Sequence, residues 1–133
     1  MLKRSDYEAY DHHYHFTAST KYRKPVFDEN IRKRLEELLK EKSEGIGGQV
    51  LSVAAAVNHV HLLIRCEQDI SYMANMILGP TSRLIRKEFP QLKELHEKQL
   101  WGGKACTSIK DQSHLTNARA YIDRHDPLDS RVD

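Results

Sequence analysis

The segment His59 to Arg65, HVHLLIR, constrains the fold more than any other stretch of this chain. It is short, apolar and bounded by turn residues, so it reads as a strand. Side chains alternate along a strand, so His59 and His61 share one face while Val60, Leu62 and Ile64 share the other. Such a segment needs a sheet with one packed apolar face and an opposite face from which two imidazoles project side by side. Their Cα atoms are expected about 7 Å apart, close enough for both rings to reach one metal ion. A bare His-x-His pair fits two surface histidines on a half-exposed strand equally well, and a third ligand decides between the readings.

The rest of the chain supplies partners for that strand. Val50 to Val57 (VLSVAAAV) reads as a strand joined to it through a turn at Val57-Asn58, making a hairpin. His13 to Thr20 (HYHFTAST) reads as an earlier strand, with Tyr14, Phe16 and Ala18 on one face and His13, His15, Thr17 and Ser19 on the other. Between these lies a helix: Asp28 is its N-cap, Ile31, Leu35, Leu38 and Leu39 form its apolar stripe, and Gly45 to Gly48 end it. A second helical stretch begins at Asp69 or Ser71 with Tyr72, Met73, Met76 and Ile77 apolar. Gly79-Pro80 is expected to kink or break it, after which the pattern resumes over Ser82 to Glu88 and stops before Pro90. Residues 91–104 read as a loop around Trp101-Gly102-Gly103, Cys106 to Lys110 as a short strand, and Thr116 to His125 as a last helix before a polar tail. The order β-α-β-β-α-β predicts an α+β fold of the ferredoxin-like plan, an antiparallel sheet with helices on one face, plus an added C-terminal helix. The other sheet face is left free for a site.

A length of 133 residues fits one domain over 1–133, with a core at about 13–126 and polar termini. Hydrophobic residues at 39% and charged residues at 30% exclude a disordered chain. No apolar run approaches the ~20 residues of a membrane span. The start, MLKRSDYEAYDHHYHF, lacks an apolar core, so no secretory leader is expected. Two cysteines, Cys66 and Cys106, are too few for a disulfide scaffold, and a cytoplasmic location is expected. A net charge of only +2 excludes a bulk polycation, so any nucleic-acid partner must be held by local patches. Three patches exist: Lys21, Arg23 and Lys24; Arg83, Arg86 and Lys87; Lys104 and Lys110. Tyr22 and Trp101 lie among or near them, and phosphate contacts beside stacking surfaces suit single-stranded nucleic acid. Each patch taken alone reads equally as a solvated turn or helix face.

The candidate third ligand is in the last helix. Tyr121 and His125 are spaced i, i+4, one turn apart on one face. A tyrosine beside a metal becomes a nucleophile once its proton leaves. Taken alone, a tyrosine in a helix is more often a packed aromatic. No other tyrosine has a histidine partner at this helical spacing.

Over about residues 13–126 the chain resembles the single-tyrosine HUH transposases. These are the TnpA-type enzymes of insertion sequences that move as single-stranded DNA, and they include the REP-associated tyrosine transposases. The motif is His59-Val60-His61 within Asn58 to Ile64. Around it, in order, stand YHFTASTKYRKPVF, Gly79 to Ser82 followed by Arg83, Phe89 to Leu92, Leu100-Trp101 and Ala120-Tyr121-Ile122. The resemblance implies Tyr121 as nucleophile and His59, His61 and His125 as ligands of Mg²⁺ or Mn²⁺, with no nucleotide cofactor. Family members commonly carry glutamine where His125 stands. It further implies a nucleoid-associated homodimer that recognises DNA hairpins at element ends and cleaves and rejoins single strands through a 5′-phosphotyrosine. DNA contacts are expected from Lys21, Tyr22, Arg23, Lys24, Arg83, Arg86, Trp101 and Lys104. The alternative is a domesticated or non-catalytic single-stranded nucleic-acid-binding module, since RNA-recognition domains share the β-α-β-β-α-β plan. A metal hydrolase unrelated to DNA would use the histidines and have no need of Tyr121.

Overall fold

The computed structural model describes residues 10–131. Residues 1–9, which hold most of the opening segment read as lacking a leader, lie outside the described residues. So do 132 and 133 of the polar tail. The chain runs β1 (His13–Thr20), a 3-10 turn (Lys21–Arg23), α1 (Glu29–Gly45), β2 (Gln49–Ala55), β3 (His59–Arg65) and α2 (Ile70–Met73). There follow a π-helical turn (Ala74–Leu78), α3 (Gly79–Glu88), a 3-10 turn (Pro90–Glu94), β4 (Trp101–Ser108) and α4 (Gln112–Asp123). The four strands form one antiparallel sheet in the order β2-β3-β1-β4, the ferredoxin-like arrangement. Helix α4 is the addition to it.

Each element follows from local chemistry. Asp28 caps α1 by accepting from the Ile31 amide at 2.9 Å. The stripe Ile31, Leu35, Leu38 and Leu39 is fully buried against the sheet, where Phe16, Ala18, Val60, Leu62 and Ile64 meet it. Burying one such side chain stabilises by roughly 1.5–3 kcal/mol. Gly47 turns the chain out of α1 at φ +85, a conformation that L side chains rarely adopt.

Four boundaries differ from the sequence reading. The second strand is Gln49–Ala55, because Ala56 to Asn58 make the connection to β3. Gly79-Pro80 does not break the second helical stretch: Leu78 and Gly79 keep right-handed helical backbone angles. The wider π turn ahead of Pro80 makes room for its ring within this continuous helical path. The stretch read as loop holds a 3-10 turn at Pro90–Glu94 and then enters β4 at Trp101, so the last strand starts earlier than Cys106. Its glycines are extended by pairing with β1, which supplies what their own propensity lacks. The last helix is Gln112–Asp123, capped by Asp111 accepting from the His114 amide at 2.8 Å, and His125 lies just beyond its end.

The sheet face expected to be free is partly covered. Helix α4 lies over β2 and β3, and Ala118 and Ile122 pack with Ala54, Leu63 and Ile109 in a second, smaller apolar cluster. The rest of that face stays open beside it. Among the described residues no helix is long and apolar enough to cross a membrane.

Candidate metal and nucleophile site

The sheet register builds the floor of the site. Opposite His59 on β3 stands Ser19 of β1, and opposite His61 stands Thr17. The next strand over places Gly103 beside Ser19 and Ala105 beside Thr17. All of these line one cavity of about 290 Å³ together with His15, Arg23, Lys104, Tyr121 and Arg131.

Helix α4 brings the rest. Ile122, 1% exposed, anchors it to the sheet, and the residue before it, Tyr121, therefore hangs over the histidines. The Tyr121 ring lies 5.3 Å from that of His61 and 5.2 Å from that of His125. His125 lies 4.9 Å from His59 and 4.6 Å from His61, centroid to centroid. One nitrogen from each of His59, His61 and His125 falls within 4.8 Å of the others, a set that could hold a metal ion. His59 and His61 are buried, whereas Tyr121 is 44% exposed and open to a substrate.

The hydrogen bonds aim these rings. His59 Nδ1 donates to Asn58 Oδ1 at 2.8 Å, which leaves His59 Nε2 facing His125 Nε2, also at 2.8 Å. Asn58 is itself fixed: its amide donates to the Arg23 carbonyl at 3.0 Å and to the Ser130 carbonyl at 2.9 Å. The same residue thus ties a candidate ligand to the basic turn and to the tail. His61 Nδ1 lies 3.1 Å from His15 Nε2, while its Nε2 is buried with no hydrogen-bond partner. A buried orphan nitrogen is costly unless something binds it. Burial, reinforced by His125, His15 and His59, pushes the His61 imidazole down to about 3. It is therefore neutral at ordinary pH, the form in which imidazole binds metals. The donor set and its orphan nitrogen fit a divalent cation.

The predicted DNA-contacting residues divide. Arg23 and Lys104 line the cavity, and Lys21, Tyr22 and Arg23 line an adjoining cleft with Gly102 and Gly103. Tyr22 is 68% exposed, and Lys24 is exposed beside it. Gly102 lets the turn approach so closely, since a Cβ there would stand 2.9 Å from Lys21 Cα. Lys21 Nζ donates to Gln99 Oε1 at 2.9 Å. Arg83 is exposed on α3, and Arg86 is partly buried and donates to the Ser82 and Glu97 carbonyls. Trp101 is 7% exposed in the main core, edge-on to Phe27 and donating to the Leu78 carbonyl at 3.0 Å, so its indole offers no stacking surface.

His15, Asn58 and Arg131 also stand in or around this site, though none of them is among the ligands or the nucleophile that the sequence suggests. Strand alternation does put His15 on the histidine face. Only the pairing of β1 with β3 brings it to His61.

The comparisons with known proteins agree with one another. A family model described as "Transposase IS200 like" matches residues 8–125. A curated relative, the ISDra2 transposase TnpA of Deinococcus radiodurans, is 26% identical over 129 residues, covering 94% of this chain and 92% of that protein. A crystal structure from Deinococcus radiodurans R1, assigned as a transposase, superposes with a TM-score of 0.69 at 21% identity, covering 85% of this chain and 90% of that one. A REP-associated tyrosine transposase bound to a REP hairpin gives a TM-score of 0.57 at 16% identity, covering 83% of this chain and 63% of that one.

Proposed function

Because this chain belongs to the IS200-like transposase family, we propose that it cuts and rejoins single-stranded DNA through a covalent bond between Tyr121 and a 5′ phosphate. The observation that carries this reading is the convergence of the half-exposed Tyr121 on three histidines able to share one ion. His59, His61 and His125 would hold the ion. When bound, it supplies Lewis acidity that withdraws charge from a non-bridging phosphate oxygen. Mg²⁺ is the ion expected from the family, but three imidazoles suit Mn²⁺ or another transition metal better.

Tyr121 does the chemistry. Its hydroxyl loses a proton and its oxygen attacks phosphorus in line. The P–O3′ bond breaks, and the departing oxygen takes up a proton to become a free 3′-OH. One diester replaces another, so no nucleotide cofactor is required. A second 3′-OH reverses the step and rejoins strands. Arg23 and Lys104, which line the cavity, would meet neighbouring phosphates, and Lys21 and Tyr22 along the adjoining cleft, with the exposed Lys24 beside them, would extend that surface. Arg83 and Arg86 lie further along α3 as phosphate contacts. The hairpin in the REP-associated relative supports a folded single strand as the partner, which would hold the protein at the nucleoid. A homodimer is supported by β4, which ends the sheet, and by Ile70, Tyr72 and Met76, which are exposed on the neighbouring helical stretch. One domain with a core at about 13–126 would carry the whole activity.

The test is a denaturing gel of labelled single-stranded DNA, taken from the flanks of the chain's own gene and incubated with Mn²⁺. A covalent protein–DNA band is expected that needs metal and vanishes in Tyr121→Phe. A shift of hairpin DNA on a native gel, with no covalent band under any metal, replaces this reading with that of a binding module.

A further inference from the structure

A metal-binding imidazole uses one nitrogen for the ion and leaves the other to be paired. That second contact fixes which nitrogen carries the proton and how the ring is turned. For His59 the partner is Asn58, whose Oδ1 can only accept. His61 has a different partner on a different strand. Its Nδ1 lies 3.1 Å from Nε2 of His15, and the rings stand 5.2 Å apart. The register explains the meeting: Thr17 is directly opposite His61, so His15, two residues back along β1, is its diagonal neighbour on the same face.

Two directions are open to this hydrogen bond. If His15 donated, His61 would carry its own proton on Nε2, a buried atom with no partner. If His61 donates, its Nδ1–H is satisfied by His15 Nε2 and its Nε2 keeps a bare lone pair turned into the cluster. The second leaves no donor stranded in the interior. It requires His15 to be neutral and protonated on Nδ1.

We propose that His15 is a positioning residue that holds His61 as its Nδ1–H tautomer and thereby sets the metal affinity of the site. The consequence for metal rests on the proposed function above, whereas the tautomer does not. Two variants of similar length separate an acceptor from mere bulk: His15→Gln keeps an oxygen that can accept from His61, and His15→Met offers only a weakly accepting thioether. Two readouts are used, neither of them activity. The first is the His61 tautomer in metal-free protein, from long-range ¹⁵N–¹H spectra of the imidazoles. The second is Co²⁺ affinity, from titration of its visible absorption.

Wild type is expected to show His61 as the Nδ1–H form. In His15→Met that form gives way to a mixture, and Co²⁺ binds roughly 10–100-fold more weakly. In His15→Gln both are largely restored. The same His61 tautomer and Co²⁺ affinity in His15→Met as in wild type overturn the proposal. So does an affinity loss that His15→Gln fails to restore, because a merely structural role for His15 produces that. If wild type takes up no Co²⁺, the metal reading falls, and the His61 tautomer still decides what His15 does.

Discussion

Tyr121 and Ile122 are adjacent in α4 yet meet opposite environments: one is 44% exposed, the other 1%. That contrast presents a hydroxyl to solvent while the helix stays anchored. The proposed third ligand is testable at the same scale. His125→Ala removes one of three donors and is expected to weaken Co²⁺ binding by more than the 10–100-fold typical of a lost supporting contact. His125→Gln keeps an oxygen donor and is expected to fall between the two, read by calorimetric titration. Cys106 gives an independent check on the sheet. Burial pushes its thiol from the ordinary 9.0 up to about 11, so the thiolate fraction at pH 8 drops about 100-fold. Alkylation of Cys106 in the native protein at pH 8, followed by mass spectrometry, should be slower than in urea by about that factor.

The elements divide the molecule into two apolar clusters with different duties. Leu35 of α1 is 0% exposed within the main core. Leu35→Ala is expected to cost about 2–5 kcal/mol of unfolding free energy in urea titrations while leaving Co²⁺ affinity unchanged. Ile122 belongs to the smaller cluster of Ala54, Leu63, Ile109 and Ala118. That cluster is what places Tyr121 and His125, so Ile122→Ala should weaken Co²⁺ binding even where far-UV circular dichroism is unchanged. Equal Co²⁺ affinities for the two variants would count against this division. Much at this scale is legible in the residues themselves. β1 and β3 start and stop where alternation and turn residues place them, and Asp28 caps α1 through its own side chain. Only the end of β4 is legible; its start is not, because Gly102 and Gly103 have no strand preference and are extended by pairing with β1. The unbroken passage through Pro80 is equally hidden, since a π turn depends on how the preceding residues wind.

At the scale of the whole molecule, a net charge of +2 cannot by itself hold DNA. On the proposed reading, binding comes from the cations that line the cavity and its adjoining cleft. Replacing Arg23, which lines both, by alanine is expected to reduce the slope of log K against log salt by about 1 for single-stranded DNA. An unchanged slope would remove Arg23 from the phosphate contacts.

The sequence alone determines that His59 and His61 share a face, because strand geometry has a period of two and needs no partner to impose it. It also determines the apolar stripe of α1 and the one-turn spacing of Tyr121 and His125, which are local properties of the backbone. Only the tertiary structure decides that α4 crosses its own sheet, that His15 meets His61, and that Trp101 is a core residue rather than a stacking platform. These depend on strand register and on which surfaces bury one another. They are relations between residues far apart in the chain, and no local pattern encodes them.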